Sequence, residues 1–196
     1  MIREIWNGEI KKMVLWWIRT LLLVSITAYL LVRYVVQRVD VYGDSMSPVL
    51  EAGDVLLVEK LTPRLGELKR FDLVVFRYQY RDNLYYIKRI VGLPGETIQI
   101  VDGGILIDGS VLEEDFGTEP IEKGKRAEEP VVLGEDEYFV LGDNRNHSSD
   151  SRDSDIGNLN KDQIIGRAVI RIWPVTRMGF LDGNHGGEPS LESTSD

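Results

Sequence analysis

The sequence predicts a mainly β fold, built as antiparallel sheets or a partly closed barrel and preceded by one N-terminal transmembrane helix. Three observations predict it. An apolar stretch of membrane length lies near the N-terminus, short β-rich runs punctuated by turn residues fill most of the remainder, and helical periodicity is absent outside the stretch, save a hint near Lys161 to Ile164. At 196 residues the chain can hold one core of ordinary size plus an anchor, but hardly two full domains.

The apolar stretch runs from Val14 to Val36 and is broken only by Arg19 and Arg33. Its uncharged run, Thr20 to Val32, would span about 20 Å as a helix, short of the roughly 30 Å of a hydrocarbon layer. The deficit closes if both arginines snorkel outward and Trp16, Trp17 and Tyr34 sit at the interfaces. Arg3, Lys11, Lys12 and Arg19 precede or open the span, against Arg33 and Arg38 after it. This bias favours a cytoplasmic N-terminus, with everything after Val36 outside the cytoplasm. Two other readings compete. A buried core helix fits poorly with a stretch that is apolar on all faces and sits at the N-terminus before an all-β-looking region, and a signal peptide cleaved near Ser25 or Thr27 would not continue into a further apolar run. An uncleaved single-pass anchor is therefore expected, with Ser45 only a few residues past the membrane exit.

Candidate strands follow at Val39 to Tyr42, Val55 to Lys60, Leu73 to Tyr80, Leu84 to Val91, Thr97 to Val101, Ile105 to Ile107, Tyr138 to Leu141 and Ile164 to Trp173. Turns at Arg81-Asp82-Asn83, Leu93-Pro94-Gly95, Asp102-Gly103-Gly104 and Asp108-Gly109 separate them, and the Asp-Gly-Gly turn is a hairpin signal. Residues 112 to 134 are glutamate-rich and poor in pattern, as in an insertion over the sheet or a mobile loop. The domain plan is thus a cytoplasmic segment 1–13, an anchor 14–36, an extracytoplasmic β domain 37–181 and an acidic tail 182–196. That tail has four acidic residues and no Lys or Arg, too little apolar surface to order itself.

Composition narrows the chemistry. The net charge of −9, without a basic stripe, argues against a nucleic-acid partner. The absence of cysteine removes disulfides, thiolate catalysis and cysteine-based zinc sites. His147 and His185 are too few for a histidine metal cluster.

Two residues stand out against this background. Ser45 lies in Gly43-Asp44-Ser45-Met46-Ser47-Pro48, a turn that can present its hydroxyl and aim its backbone N–H at a developing oxyanion. A plain turn leading toward Val55 would use the same residue types. Lys88 lies on an alternating strand, sharing a face with Tyr86 and Ile90 while Ile87, Arg89 and Val91 take the other. It is either a solvated lysine on an edge strand or a buried amine able to accept the serine proton. Lowering its pKa from about 10.4 to about 8 would take roughly 3 kcal/mol of desolvation. A third run, Gly142 to Arg152, interleaves charges so that Asp143 and Asp150 can pair with Arg145 and Arg152 and fix a loop. His147 within it offers a rival Ser45–His147–Asp triad through Asp143 or Asp150. A cation held by carboxylates between Asp143 and Asp155 lacks the EF-hand spacing.

Taken together, Gly43 to Pro48, Arg70 to Phe76, Tyr86 to Glu96 and the Gly142-Asp143-Asn144-Arg145 through Asp150-Ser151-Arg152 run resemble the boxes of bacterial type I signal peptidases, in family order and over roughly residues 14 to 175. The resemblance implies a Ser/Lys dyad with Ser45 as nucleophile and Lys88 as general base. It implies that Ser148 orients the lysine, that Asp143, Arg145, Asp150 and Arg152 brace the site, and that His147 occupies a variable position. Gly43 stands where some relatives carry a serine hydroxyl as a second oxyanion donor. Three further departures are Val49 in place of a threonine, Asp153-Ser154-Asp155-Ile156 in place of an aromatic, and Phe71 in place of a frequent glycine.

The implied function is removal of signal peptides from secreted preproteins at the outer face of the membrane, by an enzyme that needs no metal or cofactor and is expected to be monomeric. Substrates would carry small residues at −1 and −3, selected by shallow apolar pockets at Val41, Met46 and Ile87, and would pair beside residues 39 to 42. Two alternatives remain at this point. One is a Ser/Lys processing peptidase of narrower specificity, and the other is a catalytically silent, membrane-tethered module that binds peptides.

Overall fold

From Ile2 to Val35 no proline interrupts the chain, and its one glycine, Gly8, lies in the second turn. The computed structural model, which describes residues 2–78, 85–117, 119–181 and 191–192, accordingly has one long helix here, α1 (Ile2–Leu30), continued by a π-helical turn at Leu31–Val35. Gly8–Val35 is long and apolar enough to cross a membrane, with mean hydropathy 1.8, and none of that window is buried. A buried core helix would show the opposite. The chain divides into two compact units, Met1–Gln37 and Arg38–Asp196.

The second unit is almost entirely β. Its strands are β1 (Val36–Asp40), β2 (Val55–Glu59), β3 (Leu73–Arg77), β4 (Tyr85–Gly92), β5 (Thr97–Val101), β6 (Gly104–Ile107), β7 (Ser110–Leu112), β8 (Val131–Val132), β9 (Glu137–Leu141), β10 (Leu159–Asn160), β11 (Ile164–Trp173), β12 (Gly179–Phe180) and β13 (Leu191–Glu192). A short helix, α2 (Thr62–Leu65), begins with Pro63 in its first turn. The larger sheet has the order β1-β2-β11-β3-β4-β9-β10, with β12 also on β11, and the smaller has the order β13-β7-β6-β5-β8. The pairings resolved in register are antiparallel.

The sheets do not close, which corrects the partly closed barrel. The larger sheet begins at β1 and ends at β10, only two residues long and followed at once by a 3-10 turn at Lys161–Gln163, so it offers no length on which to complete a ring. The Asp-Gly-Gly hairpin forms between β5 and β6, with Val101 opposite Gly104. The Arg81-Asp82-Asn83 turn lies outside the described residues, as do most of the residues from 182 onward.

Three apolar clusters hold the unit together. One gathers Ile98, Ile100, Ile105 and Ile107 of the smaller sheet with Phe139 and Leu141 of β9. The same cluster takes in Phe116, Ile121, Ala127, Val131 and Leu133, so the segment 112–134 packs onto the sheet with a buried face. Its apolar residues are too irregularly spaced to match either a strand or a helix period, which hid this face in the sequence. The other two clusters separate the alternate residues of β3 and β4. Leu73, Val75 and Ile87 fall in one, while Val74, Phe76 and Ile90 fall in the other with Tyr86 packed against them. Lys88, opposite Val74 in register, is thereby placed in the middle of an apolar sheet.

Candidate active site

Ser45 sits in a tight turn in which the Ser47 N–H donates to the Asp44 carbonyl at 2.9 Å and the Leu50 N–H donates to the Met46 carbonyl at 2.8 Å. Met46 and Leu50 plug this turn into the core, leaving Ser45 half-buried at its tip. Lys88 reaches the turn from β4. Its Nζ is 2.7 Å from Ser45 Oγ and 3.1 Å from the Ile87 carbonyl. Only 2% of Lys88 is exposed, and the Tyr86 ring centroid lies 5.2 Å from Nζ. Burial lowers its pKa to about 8, against the opposing pull of the Asp150 and Asp143 carboxylates. The solvated-lysine reading does not survive this geometry.

The loop from Gly142 to Arg152 surrounds the pair. Gly142 is required by close approach, because a Cβ there would run into Ser148 Oγ and the Ser45 carbonyl. The Asn144 N–H donates to that carbonyl at 3.1 Å, and Asn144 Nδ2 donates to the Asp44 carbonyl at 3.2 Å. The charges pair differently from the simplest reading of their order. Asp150 does bind Arg152, at 2.8 Å, and its other oxygen accepts the Gly142 N–H. Asp143, however, is held bidentately by Arg89 at 2.8 and 2.7 Å, and Arg145 pairs with Glu114 at 2.7 Å. Burial pushes the Asp143 carboxyl up, while the Arg89 and Arg145 guanidiniums pull it back. The Arg89 guanidinium also stacks 3.6 Å from the Phe116 ring centroid and donates to the Phe71 carbonyl.

Arg89 and Glu114 are the two residues that sequence reasoning missed as members of this network. Arg89 carried a signal: alternation places it between Ile87 and Val91 on a buried face, where a guanidinium requires a carboxylate. Glu114 carried none, since it lies in the patternless segment.

The remaining expectations fall out unevenly. Ser148 Oγ is buried and has no hydrogen-bond partner among the described residues, while Lys88 Nζ is directed at Ser45 and Ile87. His147 is exposed in a 3-10 turn, and its imidazole makes no hydrogen bond or ion pair among the described residues. Among the described residues, then, it is the Lys88 amine and not the His147 imidazole that meets the Ser45 hydroxyl. Val41, Met46 and Ile87 share one apolar cluster, each less than a tenth exposed, so only thin strips of them face solvent. Among the described residues, no group of His, Asp or Glu side chains is gathered in the manner of a metal site.

The chain is similar to known proteins over most of its length. The family profile described as "Signal peptidase, peptidase S26" matches residues 14–173. A signal peptidase I of Leptolyngbya laminosa is 38% identical over 84% of this chain and 82% of its own length. A probable signal peptidase I-2 of Synechocystis is 34% identical over 83% and 75%, and a signal peptidase I of Bacillus licheniformis is 32% identical over 85% and 92%. A crystal structure of a signal peptidase I from Enterococcus faecalis V583 aligns with TM-score 0.43 and 30% identity, covering 52% of this chain and 96% of that one. With a hydroxyl and a buried amine in hydrogen-bond contact inside the segment matched by that profile, the chain belongs to the peptidase S26 family of signal peptidases.

Proposed function

We propose that this chain is a membrane-anchored serine endopeptidase that removes N-terminal signal peptides from secreted preproteins. The observation that carries the reading is the 2.7 Å contact between Ser45 Oγ and a Lys88 amine whose burial brings its pKa to about 8. At neutral pH about one lysine in ten is then uncharged and able to act as a base. Ser45 Oγ attacks the scissile carbonyl as its proton passes to Lys88 Nζ. The tetrahedral intermediate collapses, the C–N bond breaks, and Lys88 returns the proton to the departing amine. A water molecule then attacks the resulting ester as its proton passes to Lys88; the ester C–O bond breaks, Lys88 returns that proton to Ser45 Oγ, and the acid is released.

Asp143, Arg145, Asp150 and Arg152 hold the loop behind the dyad through the buried ion pairs described above. Ser148, whose buried hydroxyl has no partner among the described residues, is the candidate for a further lysine contact during turnover. Val41, Met46 and Ile87 form the apolar wall for small side chains, and β1, at one end of its sheet, offers an edge for an extended substrate. The apolar α1 helix is the anchor, with its N-terminus in the cytoplasm by the balance of basic residues.

Cleavage of a labelled preprotein by purified full-length protein tests the roles. Ser45→Ala and Lys88→Ala should each lower kcat by about 10⁴-fold or more, while His147→Ala should stay within about twofold of the unmodified enzyme. Undiminished turnover in either dyad variant refutes the assignment, and a dead His147→Ala variant would restore the triad.

A further inference from the structure

An oxyanion donor is only as good as the rigidity of the peptide that carries it. In the Asp44–Ser45 peptide, carbonyl and N–H point in opposite directions, as in any trans peptide. The carbonyl side is pinned twice, by the Ser47 N–H at 2.9 Å and by Asn144 Nδ2 at 3.2 Å. Only the NH2 end of an amide side chain can face a carbonyl oxygen, so this orientation of Asn144 is unambiguous. The next carbonyl, that of Ser45, is held by the Asn144 backbone N–H at 3.1 Å. One residue therefore grips both carbonyls that flank the nucleophile. The Ser45 N–H, on the opposite edge of the first peptide, has no hydrogen-bond partner among the described residues.

Asn144 is itself rigidly placed. The residue before it, Asp143, is locked by Arg89, and the residue after it, Arg145, is locked by Glu114. Gly43 makes this grip more consequential. It adopts φ +80 and carries no side chain, so it offers the oxyanion no hydroxyl donor and the task falls to the Ser45 N–H.

We propose, building on the dyad reading above, that Asn144 is a positioning residue for the oxyanion site: its carboxamide fixes the Asp44–Ser45 peptide plane so that the Ser45 N–H stays aimed at the developing negative charge. It touches neither substrate nor the lysine. Its loss therefore acts on the tetrahedral state, leaving ground-state binding and the titration of the base alone.

The test uses full-length Asn144→Leu, close in size and lacking the donor, with Ser45→Ala alongside. Expected are a fall in kcat of about ten- to a hundredfold, KM within about twofold, and an unshifted pH–rate limb. A peptide boronate, which forms a tetrahedral adduct on Ser45, should weaken by the same factor, while the boron-free peptide binds as before. Thermal unfolding checks that the variant is folded. Should leucine prevent folding, Asn144→Ser, whose side chain ends short of the Asp44 carbonyl, carries the same comparison. An unchanged kcat, a loss carried by KM, a shifted pH limb, or equal weakening of boronate and plain peptide overturns the proposal. Retained cleavage by Ser45→Ala would overturn the dyad and this role together, whereas an inert Ser45→Ala beside a fully active Asn144→Leu overturns the role alone.

Discussion

Lys88 is a cation-forming group placed where water barely reaches it, and its behaviour with pH follows from that. Its pKa in the folded chain lies at about 8, below the ordinary 10.5. If the neutral amine is the base, kcat/KM should rise tenfold per pH unit below about 8 and level off above it, a profile readable from preprotein cleavage across pH 6 to 10. The sign for stability is worked out in the same way. Between about 8 and 10.5 the unfolded chain keeps a proton that the folded chain has released, so stability climbs with pH across that window. Lys88→Met, expected to be inactive under the proposed dyad, should therefore be more stable than the unmodified protein at pH 7, by up to about 3 kcal/mol. The gain should shrink as pH rises above 8. A methionine variant that is less stable at every pH in urea titrations would contradict the burial argument.

At the scale of elements, β4 and the loop after β9 are joined by the Arg89–Asp143 pair, whose side chains are 1% and 0% exposed. Removing one partner strands a buried charge, so Arg89→Met or Asp143→Leu alone should cost about 3–5 kcal/mol in denaturant unfolding, and the double variant markedly less. The turn before β3 carries a different tension. Phe71 adopts φ 71, a region that favours glycine. Its ring packs against Phe116 with the centroids 4.9 Å apart and the planes tilted by 48°, and the residue is 6% exposed. Phe71→Gly would relieve about 1–2 kcal/mol of strain but lose about 3–5 kcal/mol of packing, so net destabilisation of about 2 kcal/mol is expected by the same measurement. Elements with a strong local signal were legible from sequence: the β5–β6 hairpin from Asp102-Gly103-Gly104, and β11 from its long apolar run. Strands of two or three residues, β7, β8, β10, β12 and β13, were not, because pairing with neighbours defines them and local propensity does not.

At the scale of the whole molecule, one unit is an apolar helix long enough to cross a membrane and the other is a β unit that carries the candidate site. With the N-terminus cytoplasmic, protease added to intact spheroplasts should digest the β unit while an N-terminal tag survives until the membrane is breached. Protection of the β unit under those conditions would reverse the orientation drawn from Arg3, Lys11, Lys12 and Arg19. The site residues come from four distant parts of the second unit, at positions 45, 88–89, 114 and 142–152. The two sheets and three clusters between them are what bring these together.

Sequence alone determined the apolar helix and the predominance of antiparallel strands, because each is written in local order, in run length and alternation. Local order left Ser45 and Lys88 open to bland readings, and only the resemblance of their motif runs singled them out. Only the tertiary structure decided that the sheets stay open, that Asp143 belongs to Arg89 and Arg145 to Glu114, and that Asn144 grips the nucleophile turn. Those outcomes depend on which distant side chains share a dry interior. Coulomb attraction and desolvation act there on separations in space, which the order of residues along the chain does not encode.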